Sequence, residues 1–144
     1  MLESPFQTTN LARPAVAERL SLLPEPGLRE VLNRTAPLAW ALQRTAVEGL
    51  TGLPAGRPSG EAASVPGVEA LPELAGRLRA RFDWVLFDTA PWDARPEAAL
   101  LAEHCDGVYV VTRQEQLDEP EAEDVQVAVR QQGGQVRGLV LTKM

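Results

Sequence analysis

The sequence predicts an α/β domain of three layers, a mainly parallel sheet with helices on both faces. Two observations carry this. Residues 81–142 alternate strand, helix, strand, helix, strand with short connections, and such alternation demands crossover helices and parallel pairing. The apolar run Trp84-Val85-Leu86-Phe87 also stops abruptly at Asp88-Thr89-Ala90-Pro91. It reads as a buried strand with Asp88 at its C-terminal tip, the edge where open parallel sheets bind ligands.

The elements follow in order. "AVAERLSLL" and "GLREVLNR" read as short helices and "PLAWALQR" as a third. "VEGLTGLPAG" is a strand running into a Gly/Pro-rich loop, and residues 54–67 are expected to be flexible. "GVEALPELAGRLRARF" is a helix with Pro72 near its start, leading into the Asp88 strand. A helix from about residue 95 to 103 takes Asp93 as its N-cap and Pro96 in its first turn. "GVYVVT" (107–112) is the next strand. The following helix, about 119–132, is capped by Asp118, carries Pro120, Glu121, Glu123 and Asp124 at its positive end and closes on Gly133-Gly134. "VRGLVLT" (136–142) is the last strand. Without repeats or composition breaks, residues 1–144 are expected to form one domain.

Composition narrows the function. At 44% hydrophobic the chain is an ordinary globular sequence, and its net charge of −6 argues against a nucleic-acid or anionic-membrane surface. Lys143 is the only lysine, which matters for phosphate binding. Cys105 and His104 are the only residues of their kinds, too few for a disulfide framework or a Cys/His metal cage. They read as a small buried thiol and a helix-end histidine. The six carboxylates from Glu115 to Asp124 read as a solvated helix start. Arg77 and Arg81 share a helix face and read as solvated surface in preference to an anion site. No run approaches the roughly 18 apolar residues of a membrane helix, and "MLESPFQTTNLARP" lacks the basic and apolar regions of a signal peptide. The expected location is cytoplasmic, without direct membrane insertion.

"FDWVLFDTAP" resembles the second phosphate-site motif of MinD/ParA-type P-loop ATPases, an apolar strand ending in Asp-Thr-Pro-Pro. Four further stretches resemble that family in the same order: "ARPAVAERLSLLPEPGLREVL", "GLTGLPAGRPSG", "AEHCDGVYVVTR" and "GQVRGLVLTKM". The nearest resemblance is to the ATPase domains of bacterial polysaccharide-export tyrosine autokinases and to ParA-like proteins of cellulose biosynthesis. The resemblance implies a nucleotide-binding remnant, with no catalytic residue, at Thr8, Asn10, Asp88, Thr89, Pro91 and Thr142; Asp88 holds the position of the family's water-mediated magnesium contact but reads as a remnant that hydrogen-bonds the following turn. The departures are large. The 144 residues contain no Gly-rich loop ending in Gly-Lys-Ser/Thr, and the chain starts after the place of the strand that would carry one. The family's two motif aspartates fall on Thr8 and Asn10, with Leu11, Arg13 and Pro14 in register. The family's base-reading asparagine falls on Thr142, and Tyr109 is the only tyrosine.

These departures imply a pseudo-ATPase, catalytically silent, working as a scaffold or regulator for a protein partner (a paralogous ATPase or a second copy) in polysaccharide synthesis or export, or in positioning a cell-surface machine. No metal or cofactor is expected, and Mg-ATP only if another chain or further sequence supplies the phosphate loop. The alternative is a fragment of a true ATPase or tyrosine autokinase domain. A second is a receiver-like phospho-aspartate switch built on Asp88, Thr112 and Lys143, which the lack of an acidic pair after "GLTGLPAG" disfavours. In the family the phosphate-loop strand lies beside the Asp88 strand. Without it, residues 84–88 are expected to pair directly with "VYVVT", in preference to taking a strand from another chain.

Overall fold

The computed structural model describes residues 4–8, 15–57, 67–89, 96–113 and 120–142. They fall into two compact units, Met1–Pro91 and Trp92–Met144.

The first unit carries a four-stranded sheet in the order β2-β3-β1-β4. β1 (Ser4–Thr8) is one of its two inner strands, parallel to β3 (Leu50–Leu53) and to β4 (Leu86–Asp88). β2 (Gln43–Arg44) closes one edge antiparallel to β3. The sequence did not announce β1: Ser-Pro-Phe-Gln-Thr has neither an apolar run nor clean alternation, and its strand state comes from having a partner on each side. The three expected short helices are α1 (Ala15–Arg19), α2 (Leu28–Leu32) and α3 (Leu38–Ala41). Lengths of four or five residues are too short to persist by propensity, so packing holds them. Leu28, Val31, Leu32, Leu38 and Ala41 are buried accordingly. A 3-10 turn (Val68–Ala70) leads into α4 (Leu71–Arg79), where Leu71, Leu74, Ala75 and Leu78 form one buried stripe at helical spacing.

The second unit is a single βαβ motif preceded by a helix. α5 (Pro96–His104) buries Ala98, Leu101 and Ala102. β5 (Val108–Arg113) and β6 (Val136–Thr142) pair in parallel, joined through α6 (Pro120–Gln131). α6 ends as expected on its glycines. Gly133 takes φ +82° and donates to the Arg130 carbonyl, while the Gly134 N–H reaches Val129 O at 2.9 Å. This paired closure satisfies carbonyls of the last turn. The expected caps Asp93 and Asp118 lie outside the described residues.

Three expectations need correction. The Asp88 strand is not buried: only residues 86–88 pair, and Trp84 is 64% and Leu86 42% exposed. A strand with one neighbour leaves the rest of its apolar run uncovered. Among the described residues β4 pairs only with β1 and β5 only with β6, so the direct pairing of residues 84–88 with "VYVVT" does not occur. The loop from residue 54 is not loose at its start. Pro54, Ala55 and Gly56 are buried, because the Leu28 and Arg29 N–H groups bond the Pro54 and Ala55 carbonyls at 2.7 and 3.0 Å; residues 58–66 lie outside the described set.

Candidate functional site

β1, β3 and β4 run parallel, so their C-terminal ends share one edge of the first sheet. Pairing sets Thr8 directly beside Asp88, with Phe6 opposite Leu86 and Gln7 opposite Phe87. Two positions eighty residues apart in sequence, each assigned to the site by its own motif, therefore meet at adjacent strand tips. Asp88 and Thr89 are exposed there. Asn10 and Pro91 lie outside the described residues.

A rigid wall stands at the same edge, beyond β3. Glu30 accepts the Gly27 N–H on Oε2 at 2.7 Å and the Arg57 N–H on Oε1 at 3.1 Å. Arg57 in turn donates through Nε to Glu25 at 3.0 Å and pairs with it through Nη2 at 2.8 Å. That hydrogen bond, and next the attraction of the Glu25 charge, hold the guanidinium above its ordinary pKa. Gly27 is forced by proximity: a Cβ there would collide with the backbone of Gly56 and Pro54. Sequence reading passed over this wall, although Gly27 and Glu30 stand at the three-residue spacing of a capping box.

Thr142 ends β6 in the second unit, and its hydroxyl donates to the Thr112 carbonyl at 3.3 Å. The receiver arrangement finds no support here. The strand beside Asp88 ends at Thr8, and Lys143 lies outside the described residues. His104 behaves as a helix-end residue, its Nδ1 lying 2.9 Å from the Leu100 carbonyl oxygen. Cys105 is half-buried, more open than expected. Among the described residues no three His, Cys, Asp or Glu side chains converge as a metal site, and no helix is long and apolar enough to cross a membrane.

No family model matches the sequence. The tyrosine-protein kinase CpsD of Streptococcus pneumoniae is 27% identical over 118 residues, 82% of this chain and 52% of the kinase. CpsD of Streptococcus agalactiae is 25% identical over the same length. The VpsO kinase domain superposes with a TM-score of 0.85 at 27% identity, covering 100% of this chain and 71% of that one. MinD of Pyrococcus horikoshii, solved with Mg-ADP, gives 0.79 at 21% over 96% of this chain and 57% of its own. The chain shares its fold with kinase domains of this type and with MinD. Its P-loop NTPase-like α/β fold is that of the kinase and MinD structures alike. The kinase domain of Escherichia coli ETK has the same fold, with a TM-score of 0.88 at 20% identity over 99% of this chain and 56% of its own. The chain spans about half the length of the curated relatives it matches.

The site itself departs from what such a domain needs for Mg-ATP. Opposite Asp88 stands Thr8, not a carboxylate. One carboxylate without a second, and without a Gly-rich loop ending in Gly-Lys-Ser/Thr in these 144 residues, does not offset the charge of a triphosphate. The residues present do not fit the group.

Proposed function

We propose that the chain is the larger part of a tyrosine-kinase-type MinD/ParA domain and is silent toward ATP by itself. Nucleotide chemistry returns only when a phosphate-loop strand and helix come from other sequence. The observation that carries this is the outer edge of β4. Its only partner among the described residues is β1, while Trp84 and Leu86 stand exposed beside Asp88. An apolar strand with a free edge is a template for one more strand, and in the family resembled that neighbour bears the phosphate loop. The similarity to CpsD and to the VpsO kinase domain supports a kinase-type origin over a partitioning one. The setting is then bacterial polysaccharide synthesis or export, on the cytoplasmic side, with a protein partner (a paralogous ATPase or a second copy).

A second reading is the pseudo-ATPase scaffold, and Thr8 beside Asp88 favours it. Loss of a motif carboxylate at the strand tip impairs metal binding even where a phosphate loop is restored. Amide hydrogen exchange separates the two. A family phosphate-loop strand and helix joined ahead of residue 1 is expected to slow exchange across residues 84–88. Unchanged exchange there overturns the kinase-domain reading.

A further inference from the structure

The first unit holds a cleft of about 290 Å³ lined by Ala39, Leu42, Arg44, Thr51, Arg81 and Phe82. It lies at the β2 edge of the sheet, and three separate stretches build it. Arg44 and Thr51 are directly opposed across the antiparallel β2–β3 pair, so both side chains project to one face. Ala39 and Leu42 come from α3 and the residue that ends it. Arg81 and Phe82 follow α4, where their N–H groups both bond the Leu78 carbonyl, at 2.9 and 3.0 Å. This turn takes Arg81 off the helix, so the face it was expected to share with Arg77 does not extend to it.

Two cations therefore line one small cleft. Among the described residues neither guanidinium has a hydrogen-bond or ion-pair partner, whereas Arg57 is held by Glu25 and Arg137 by the Asp106 carbonyl. Both guanidinium groups line the same cleft and can share one dianion between them. Guanidinium forks match phosphate oxygens in pairs. Thr51 adds one hydroxyl. The remaining lining (Ala39, Leu42 and the half-buried ring of Phe82) is apolar and offers no donors or acceptors for a sugar. A flat aromatic body against Phe82 fits it better. The volume is at the small end for a ligand pocket and suits one aromatic side chain.

We propose that this cleft binds an aromatic phosphate monoester, the chemistry of a phosphotyrosyl side chain. Tyr109, the only tyrosine in these 144 residues, lies within β5. The inference stands on the cleft alone and needs no nucleotide chemistry from this chain.

The test is an NMR titration of the intact chain with phenyl phosphate, inorganic phosphate, phenol and a phosphotyrosyl peptide. Phenyl phosphate is expected to shift the amides of Arg44, Thr51 and Phe82, and to bind about tenfold more tightly than inorganic phosphate or phenol. Arg44→Gln and Arg81→Gln, both at exposed positions, are each expected to weaken it about fivefold or more with the rest of the spectrum unmoved. Tighter binding of the peptide than of phenyl phosphate marks a protein source, and equal binding marks a small molecule. The proposal is overturned if no cleft amide shifts at about 10 mM phenyl phosphate, if inorganic phosphate or phenol binds as well, or if binding survives both substitutions.

Discussion

Replacing Gly27 by alanine isolates the contact that fixes the loop after β3 on the start of α2. The backbone angles at Gly27, φ −138° and ψ −161°, suit any residue, so conformational strain does not enter. The added methyl, however, meets Pro54 O at 2.5 Å and Gly56 Cα at 2.6 Å, and collides with Gly56 N. All three are backbone atoms and cannot rotate away. Relief requires the loop to withdraw, which stretches the bonds from the Leu28 and Arg29 N–H groups to the loop carbonyls and the Arg57 N–H bond to Glu30. At about 1 kcal/mol for each of these bonds, with some compensation from water, the expected loss is roughly 2–4 kcal/mol. With an m-value of about 1–3 kcal/mol per molar urea, the midpoint falls by about 1–2 M. Gly76→Ala is the matched control: it lies inside α4 with nothing within 4 Å of the new methyl, and should gain about 0.5–1 kcal/mol. Urea unfolding followed by circular dichroism measures both. A Gly27→Ala midpoint equal to the parent's would refute the packing argument.

Other expectations follow from charge and pairing. Arg57 has a raised pKa, so its contribution is complete below its unfolded value and is lost only as pH rises through the higher folded one; the urea midpoint of Glu25→Gln relative to parent should therefore not vary between roughly pH 6 and 9. A difference that grows toward pH 9 would contradict this. With a net charge of −6 the chain should give no salt-sensitive mobility shift with nonspecific duplex DNA at low salt. Gly134→Ala should loosen the end of α6, since the methyl meets Val129 Cγ1 at 2.7 Å and Ala102 Cβ at 3.0 Å, costing about 1–3 kcal/mol in the same unfolding assay.

The legible parts of the fold were those whose signals are local. α5, β5, α6 and β6 were bounded within a residue or two, because Pro96, Pro120 and Gly133-Gly134 mark helix ends wherever they occur. That Thr8 and Asp88 belong to one site was legible only through two motifs read together, while their strand pairing was not legible at all. β1 and β2 were not legible: one has a mixed sequence and the other is two residues long, and both are strands because β3 lies beside them. The exposure of Trp84 and Leu86 was misread for the same reason. An apolar run states what a strand can bury, while the number of its neighbours decides what it does bury. The Arg44–Arg81 cleft joins residues thirty-seven positions apart, and no local pattern connects them.

Calorimetric titration with Mg-ATP tests the central claim most directly, applied to the chain alone and to the chain joined to a family phosphate-loop strand and helix. The account predicts no heat from the chain alone at sub-millimolar nucleotide, and binding once the loop is joined. Micromolar binding by the chain alone, abolished by Asp88→Ala, would contradict it, because Asp88 beside Thr8 would then be a working site without a phosphate loop.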